Sequence, residues 1–582
     1  MKHLYTSLRR NMISAVACVC IITVFVQYRQ WSAPKERPLV VTTWDAFGYY
    51  VYLPAFFIYN DAKTLNWLDS TDRKYHLTGG NGWQAEKLEN GNYTFKYLGG
   101  VAIMQMPLFL IGHFVAGLLS YPQDGFSPPY QYAITLGALI YCLLGLLVLR
   151  RVLLRYFDDI VVTVTLLLTA LATNLMQYAA DDNGQSHVYI FMLYAVVLAA
   201  TDSWHRKPRA WIAFAVGYII GLATMSRPTE AIMLLIPLLW NTNGKSVTKE
   251  KWRLVWTNKP HVWLAVIGGL VGILPQLIYW KYSTESFIYD VGSKWVFFNP
   301  WFRVLFGWEK GWFIYTPVTI FFVIGLFFLK KYPFKNAILW FFILNLWIII
   351  SWEDWRYGGS YSTRALVQSY PVMAFSLASL IAPIFCNKGR YIALLLGSVL
   401  IVLNVFQTIQ YHRTILHYND MNRQYYGRIF MNANPSAEDM SLLDNGEFLY
   451  HESAFEVVIR DTLTIDTTVT IAPKGQALIA TKPIQLNADD WIKLESIIEP
   501  SSGLWNSYLT VVLKTSNTSK TARIRLFSPI AKENTKNRYA LFMHMPPNFQ
   551  HTQLSVFITT TTGFSGRVYR TCMSVFRSRA TH

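Results

Sequence analysis

Long stretches without a single charged residue limit what this chain can fold into. Seven of them contain no Lys, Arg, Asp or Glu: 134–149, 160–172, 188–200, 263–280, 318–329, 337–350 and 391–407. With interfacial ends added, each approaches the roughly 20 apolar residues that cross a bilayer. Only 15% of all residues are charged, whereas soluble chains usually carry about 25%. The sequence therefore predicts a polytopic α-helical membrane protein.

Basic clusters between these stretches predict the topology, because such clusters favour the cytoplasmic side. They are Lys2/Arg9/Arg10, Arg150/Arg151/Arg155, Arg206/Lys207/Arg209, 245–259, Lys330/Lys331/Lys335 and Lys388/Arg390. Keeping all of them inside predicts about eleven transmembrane helices, at 12–28, 130–149, 159–178, 187–204, 210–226, 228–240, 262–280, 316–329, 336–351, 369–386 and 391–410. Segment 101–119 would invert every later loop if it crossed, so we expect it to lie on the outer membrane face. The first run has the basic flank of a signal peptide but no convincing cleavage site, and we count it as a span.

The composition changes after residue 411. Segments such as LTIDTTVTIA and YLTVVLKT alternate apolar with polar residues, which predicts an exported β-sandwich over 411–582. Residues 1–410 form the predicted transmembrane domain, with an exported first loop at 29–129. The net charge of +18 follows from membrane orientation, and no basic stripe indicates nucleic-acid binding. The five cysteines form no CxxC motif or Cys/His cluster, which argues against a disulfide framework or structural metal.

The remaining polar residues gather on the predicted exported side, which indicates chemistry at the membrane surface. The candidate acids are Asp45, Asp61, Asp181 and Asp182, and the candidate cations and other groups are Lys96, His187, Arg227, Lys294, Trp352, Trp355 and Arg364. The spans are nearly free of charge, whereas a proton-coupled transporter usually needs ionisable groups at mid-membrane. A carboxylate can take the proton of an acceptor hydroxyl. Arg and Lys can stabilise a departing phosphate. This combination suits sugar transfer from a lipid phosphate.

The order of several motifs resembles the GT-C superfamily of polyprenyl-phosphate-sugar-dependent glycosyltransferases, in the protein mannosyltransferase and aminoarabinose transferase group. The motifs are WDAFGYYVYLPA, KYLGGVAIMQMPLF, SRPTEAI, GWEKGWFIYTPV and the W-x-x-W-x-x-G-G-S-x-x-x-R stretch at 352–364. They cover roughly residues 10–410. The resemblance implies that Asp45 is the catalytic base and that Asp181 or Asp182 is a second acid. It also implies a carbohydrate-binding-like role for the C-terminal domain.

Each candidate also has a plain structural interpretation. Asp45 and Asp61 could cap helices, and Asp181 and Asp182 border a turn. Arg227 could reach lipid headgroups. His187 could simply begin a span, and Trp352 and Trp355 could belong to an aromatic belt. No cofactor is predicted; Asp45 is followed by Ala46 where the family commonly has Asp-Glu, which leaves a divalent metal without support.

The sequence thus predicts an inverting glycosyltransferase of the bacterial cytoplasmic membrane with an exported C-terminal domain. Asp45 would deprotonate the acceptor, a glycan, lipid or protein hydroxyl. Arg364 and Arg227, with Lys96 or Lys294, would hold the phosphate of a polyprenyl-phosphate-linked sugar within the membrane lipid. Two alternatives stay open at this point: a lipid-linked glycan transporter or ligase-like cell-envelope assembly protein, and a non-enzymatic scaffold whose sandwich binds a partner.

Overall fold

The computed structural model describes residues 11–34, 39–80, 82–547, 549 and 551–579. The chain divides into two compact units, Met1–Thr408 and Ile409–His582. The predicted basic cluster Lys2/Arg9/Arg10 lies outside the described residues.

The first unit is helical. In chain order its α-helices are α1 (Met12–Ser32), α2 (Trp44–Tyr50), α3 (Tyr52–Phe57), α4 (Leu68–Tyr75), α5 (Gly100–Leu118), α6 (Pro128–Leu153), α7 (Asp159–Leu171), α8 (Leu175–Ala180), α9 (His187–Arg206), α10 (Ala210–Ser226), α11 (Leu235–Leu239), α12 (Lys245–Thr257), α13 (Lys259–Thr284), α14 (Arg303–Phe306), α15 (Trp312–Tyr315), α16 (Thr319–Gly325), α17 (Lys335–Ile350), α18 (Tyr370–Phe385) and α19 (Gly389–His412). Short 3₁₀ helices cover Pro228–Leu234, Leu326–Phe328 and Arg364–Ser369. A hairpin of β1 (Ala85–Lys87) and β2 (Tyr93–Phe95) lies in the long first loop.

Within the described residues, seven helical segments are long and apolar enough to cross a membrane: α1, α5, α6, α9, α13, Arg364–Phe385 and α19. Six of these match predicted spans. The other five predicted spans correspond to apolar helices of 10–17 residues, shorter than the roughly 20 residues that a crossing needs. The polytopic helical architecture is therefore confirmed, and the number of eleven crossings stays a prediction. The helix α5 meets the same length and apolarity criteria, so its placement on the membrane surface also stays a prediction.

One predicted span, 159–178, is interrupted in the structure. The helix α7 ends at Leu171 and α8 begins at Leu175. Asn174, between them, donates a hydrogen bond to the carbonyl oxygen of Tyr361 at 3.1 Å and accepts one from the Tyr370 hydroxyl at 2.6 Å. The break exchanges helix hydrogen bonds for contacts with a distant loop, and that loop carries part of the site described below.

Glycines bring α10 and α13 into backbone contact. A Cβ atom on Gly217 would lie 1.8 Å from the carbonyl oxygen of Ala265, and one on Gly221 would lie 2.3 Å from that of Gly269. Small residues allow this approach between helices in a membrane, where packing rather than the hydrophobic effect holds helices together. The pair therefore forms a tightly packed unit.

Gly217→Ala should separate these two helices and destabilise the helical unit by about 1–3 kcal/mol, the usual cost of overpacking. The matched control is Gly269→Ala, because its Cβ would meet its nearest neighbour at 3.6 Å, an ordinary contact distance. Thermal unfolding in detergent would compare the two variants. Equal shifts in the unfolding midpoint would contradict the close packing at Gly217.

The last turns of α13 hold the first loop in place. The side-chain oxygen of Gln276 accepts a hydrogen bond from the Gly99 amide at 2.8 Å, and the Tyr279 hydroxyl accepts one from the Phe95 amide at 3.0 Å. The Tyr52 hydroxyl donates to the carbonyl oxygen of Tyr97 at 2.7 Å. These contacts fix the backbone of 95–99, the segment that leads into α5.

The second unit is built mainly of β-strands. Its strands are β3 (Phe455–Ile471), β4 (Gln476–Gln485), β5 (Trp491–Ser502), β6 (Ser507–Lys514), β7 (Ser519–Arg525), β8 (Asn537–His544), β9 (His551–Thr560) and β10 (Phe564–Ser578). Short helices α20 (Arg423–Ile429) and α21 (Ala437–Ser441) precede them. In the part of the chain that is described, these strands form two antiparallel four-stranded sheets, β3-β10-β5-β8 and β4-β9-β6-β7. Buried residues of both sheets belong to one hydrophobic cluster, among them Leu494, Val511, Val556 and Val575. A C-terminal β-sheet region is therefore confirmed, and the exported β-sandwich over 411–582 stays a prediction.

Candidate active site around Asp45

Asp45 lies in the first turn of α2, where the helix dipole favours a negative charge. One carboxylate oxygen accepts a hydrogen bond from the Tyr97 hydroxyl at 2.7 Å, and the other accepts one from Arg364 Nη2 at 2.5 Å. The aromatic ring of Tyr97 packs directly on α2, and this packing brings the Tyr97 hydroxyl to Asp45. A Cβ atom on Gly48 would be 2.2 Å from that ring, so the helix needs glycine there. Both oxygens of Asp45 are thus occupied by donors from other segments.

Arg364 reaches Asp45 from the start of the 3₁₀ helix Arg364–Ser369. The preceding loop is held by Lys310, a buried residue whose ammonium group donates to the Gly358 carbonyl and, at 3.0 Å, to the Ser360 hydroxyl. Arg364 also donates from Nη1 to the side-chain oxygen of Gln185 at 3.1 Å. The side chain of Arg364 is 12% exposed and that of Asp45 is 21% exposed. The ion pair is therefore largely shielded from solvent.

Burial alone would raise the pKa of Asp45, but the positive charge of Arg364 and the hydrogen bonds from Tyr97 and Arg364 outweigh it. The pKa of Asp45 consequently lies below its ordinary value. The charge of Arg227 lowers it further. Burial, followed by the negative charge of Asp45, raises the pKa of Tyr97, so its phenol stays protonated as a donor. Asp45 is an ionised carboxylate in this state.

Asp181 and Asp182 lie beside one another just after α8. Asp181 forms an ion pair with Arg29 and accepts a hydrogen bond from Ser32 at 3.0 Å. The amide of Gln177 donates to both acids at 3.2 Å. Burial, followed by the negative charge of Asp181, raises the pKa of Asp182 to about 6.

The positive charge of Arg364 lowers the pKa of Asp182, and the negative charge of Asp45 raises it. The second acid pair therefore belongs to the same electrostatic cluster as Asp45.

Arg227 lies at the end of α10, half-exposed. Among the described residues its guanidinium makes no hydrogen bond or ion pair, although its charge acts on Asp45 and His187. Five donors on a rigid planar group next to the acid cluster suit a phosphate.

Beside Arg227, four buried side chains are linked by hydrogen bonds: His187, Gln368, Glu230 and Tyr194. The side-chain oxygen of Gln368 accepts a hydrogen bond from His187 Nδ1 at 2.9 Å, and its side-chain nitrogen donates one to Glu230 at 3.0 Å. Buried Glu230 also accepts from the Tyr194 hydroxyl at 2.5 Å. The structure thus places the predicted residues His187 and Arg227 beside the Asp45 cluster and adds Glu230, whose charge interacts with Arg227.

Two predicted cations lie apart from the ion pair, with no hydrogen bond to Asp45 or Arg364 among the described residues. Lys96 is half-exposed and immediately precedes Tyr97 in the chain. Lys294 is exposed, and its carbonyl accepts from the amide of Glu353 at 3.0 Å.

The two predicted tryptophans pack within the 295–357 region. The Trp352 ring lies 4.5 Å from that of Tyr357, and the Trp355 ring lies 4.5 Å from the guanidinium of Arg303. Neither is joined to Asp45 by a hydrogen bond in the described part of the chain. Their proposed contact with sugar stays a prediction.

Asp61 is occupied by its own loop. Its carboxylate accepts from the amides of Thr64 at 2.7 Å and Asn66 at 3.0 Å and from the Thr64 hydroxyl at 2.8 Å. Burial works against its ionisation, but these hydrogen bonds outweigh it and hold the pKa of Asp61 below its ordinary value. This arrangement accounts for Asp61 as a loop-fixing residue.

Sequence reasoning did not identify four residues that the structure brings to the cluster: Tyr97, Gln185, Glu230 and Gln368. Tyr97 and Glu230 lie inside the motifs KYLGG and SRPTEAI, which single them out by position. No sequence signal marks the two glutamines. Within the described residues, no group of three or more His, Cys, Asp or Glu side chains is arranged to hold a metal ion.

Residues 130–280 match the family model described as dolichyl-phosphate-mannose-protein mannosyltransferase. No curated protein sequence matches the chain.

Several solved structures are similar to parts of the chain. The infectious bursal disease virus VP2 subviral particle is 13% identical, with 21% of this chain and 33% of that chain covered, at a TM-score of 0.19. The oligosaccharyltransferase AglB from Archaeoglobus fulgidus, in complex with an inhibitory peptide and a dolichol-phosphate, is 11% identical, with 73% and 57% covered, at a TM-score of 0.43. ArnT from Cupriavidus metallidurans bound to undecaprenyl phosphate is 14% identical, with 74% and 70% covered, at a TM-score of 0.42. The chain therefore spans one third of VP2 and just over half of AglB.

The family match lies within the helical unit and contains Asp181, Asp182, His187 and Arg227. Over this stretch the chain is similar to the lipid-phosphate-sugar-dependent mannosyltransferases, and the resemblance to polyprenyl-phosphate-sugar glycosyltransferases that its motifs indicated is confirmed.

Proposed function

We propose that this protein is a membrane glycosyltransferase that moves one sugar from a polyprenyl phosphate to an acceptor hydroxyl. The observation that carries the proposal is the shielded pair of Asp45 and Arg364 with the guanidinium of Arg227 beside it, which has no hydrogen-bond or ion-pair partner among the described residues. The pair joins a base to a phosphate-binding group. The family match over 130–280 supports a lipid-phosphate sugar as the donor class.

The reaction is a single displacement. Asp45 takes the proton of the acceptor hydroxyl, whose oxygen forms a bond to the anomeric carbon of the donor. The bond from that carbon to the phosphate oxygen breaks on the opposite face, and the phosphate leaves with the electron pair. One displacement of this kind inverts the anomeric configuration. Arg364 and Arg227 stabilise the charge that develops on the phosphate.

Arg364 serves two partners in turn in this mechanism. In the structure its Nη2 is held by Asp45, and that pairing keeps the pKa of Asp45 low and its basicity weak. An incoming phosphate competes for the same guanidinium. As Arg364 turns to the phosphate, burial raises the pKa of Asp45, and the carboxylate becomes a stronger base when the donor is in place. Tyr97 keeps one carboxylate oxygen oriented throughout.

The other candidates take supporting roles. Asp181 and Asp182 orient the acceptor, and Asp182 can take up a proton at mildly acidic pH because its pKa is raised to about 6. His187 and Asp61 stay further candidates for substrate contact. Lys96 and Lys294 stay candidates for phosphate contacts, and Trp352 and Trp355 for sugar contacts.

We place the reaction on the exported face of a bacterial cytoplasmic membrane. The motivating observation is that residues from four loops predicted to be exported, represented by Asp45, Asp182, Arg227 and Arg364, act on one another electrostatically. Their meeting requires those loops to share one side of the bilayer.

The test uses the full chain in lipid nanodiscs with undecaprenyl-phosphate mannose labelled in the sugar. We expect label to pass from the lipid to an acceptor supplied as a cell-envelope extract, with inverted configuration at the anomeric carbon by NMR. Retained configuration would overturn the single displacement. If sugar were transferred from a lipid-linked oligosaccharide but not from the monosaccharide lipid, a ligase would be favoured. If the intact lipid moved across the membrane of a proteoliposome, a transporter would be favoured.

A further inference from the structure

Trp44, the residue before Asp45, has an unusual backbone conformation. Its φ is +52°, in the left-handed region that bulky side chains rarely adopt. The conformation is held on both sides. The backbone amide of Trp44 donates to the carbonyl oxygen of Leu77 at 2.9 Å, and the carbonyl of Trp44 accepts from the side-chain nitrogen of Gln84 at 3.1 Å. Strained residues persist where the surroundings hold them, and they concentrate at ligand-binding positions.

A glycine loop makes room for the indole. A Cβ atom on Gly79 would lie 2.7 Å from Trp44 Cη2 and 3.3 Å from Cζ3. The indole therefore rests against the Gly79 backbone, which itself has a φ of +73°. Trp44 is nevertheless 55% exposed. One part of the indole packs on the protein, and the rest is exposed to solvent.

The indole is carried by the residue that directly precedes the proposed base. Neighbouring Cα atoms in a trans chain are about 3.8 Å apart, so the backbone that holds Trp44 on Gly79 also holds Asp45. Another aromatic ring contacts that carboxylate through its hydroxyl, that of Tyr97, and the ring of Tyr49 lies 4.7 Å from it. An apolar platform next to a carboxylate matches a pyranose, which has a C–H face and a rim of hydroxyls.

We propose that Trp44 is the stacking surface for the pyranose ring that reacts at Asp45, a role that rests on the proposed glycosyltransferase function. The pyranose belongs to the donor lipid or to a glycan acceptor, and both present the same C–H face. The simpler reading of an exposed tryptophan is an interfacial membrane anchor. A membrane anchor needs neither a strained backbone nor a glycine that the indole packs against, and Trp44 has both.

Binding to Trp44 can be followed without any turnover. The chain has 21 tryptophans, so the full-length protein is labelled with 5-fluorotryptophan in nanodiscs, and the Trp44 resonance is assigned by its loss in Trp44→Phe. The probes are undecaprenyl-phosphate mannose, methyl mannoside and undecaprenyl phosphate. We expect the resonance to shift with a sugar-bearing probe and not with undecaprenyl phosphate. The probe that shifts it identifies the donor or the acceptor as the source.

A shift with undecaprenyl phosphate alone, or with none of the three probes, would overturn the proposal. Because the measurement reports binding only, a shift with sugar would stand even if sugar transfer were never detected. Failure of the stacking role and failure of the glycosyltransferase assignment are thus distinguishable.

Two adjacent glycines offer a matched pair of variants. Gly79→Ala should push the indole aside and weaken binding of the sugar probe about tenfold, the scale of one lost aromatic contact. Gly80 has a similar φ of +86°, and a Cβ atom there would meet nothing within 4 Å in the described residues. Gly80→Ala therefore adds comparable backbone strain and should leave binding unchanged. Equal weakening by both variants would overturn the proposal, because strain in the loop alone would then explain the effect.

Discussion

Asp45→Asn is expected to lower kcat/KM for sugar transfer by about 10²- to 10⁴-fold, the usual contribution of a general base. The amide keeps the size of the carboxylate but cannot take a proton from the acceptor. The same substitution removes the ion-pair partner of Arg364. Binding of undecaprenyl phosphate should therefore be retained or tightened, since the guanidinium is released for phosphate. Transfer is measured with labelled donor in nanodiscs, and lipid binding is measured separately.

The control for this variant is Asp290→Asn. Asp290 is exposed and accepts a hydrogen bond from the nearby Gly292 amide at 2.9 Å, so its charge can be removed without disturbing the cluster. We expect full activity from it and normal membrane insertion from both variants. Full activity of Asp45→Asn would show that the base is another group, with Asp182 the next candidate.

Arg364→Met should lower kcat/KM by about 10²- to 10³-fold, as expected for loss of one preorganised group that stabilises the leaving charge. It should also change the pH dependence. Arg364 holds the pKa of Asp45 below its ordinary value. Without that charge, burial shifts the pKa upward, and Asp45 binds its proton at higher pH. The acidic limb of the residual pH–rate profile should therefore move to higher pH.

Arg253→Met is the matched control for this second variant, because Arg253 is exposed and its side chain makes no hydrogen bond or ion pair among the described residues. Arg364→Lys should recover part of the activity, since it restores the charge but not the planar fork. The double variant Asp45→Asn/Arg364→Met should cost less than the sum of the single variants, as coupled residues do. Additive costs, or an unmoved acidic limb, would contradict the proposed exchange of partners.

The helices were predictable because the bilayer imposes a simple rule on sequence. Backbone groups must be satisfied within a segment in lipid, so charge-free apolar runs are helical. All eleven predicted runs contain helix. The break at Asn174 was not predictable, since its partners Tyr361 and Tyr370 are 187 and 196 residues away. The number of membrane crossings stays a prediction, because five of the predicted spans form helices of only 10–17 residues.

The members of the candidate site were partly predictable, and their pairing was not. Charged residues in mostly apolar surroundings stand out in the sequence, which is how Asp45, Asp182, Arg227 and Arg364 were identified. The contact between Asp45 and Arg364 joins positions 319 residues apart. Gln185 has no distinguishing feature in sequence, because an uncharged amide is common in any loop. The catalytic roles of these residues stay predictions.

The length of α13 has a consequence for where the reaction takes place. Its 26 residues extend for about 39 Å, more than the roughly 30 Å of hydrocarbon in a bilayer. In its last three turns, Gln276 and Tyr279 hydrogen-bond the backbone at Gly99 and Phe95. We therefore expect this helix to fix the height of the Asp45 carboxylate relative to the lipid tails. That height would decide which point along an embedded lipid carrier can come within its reach.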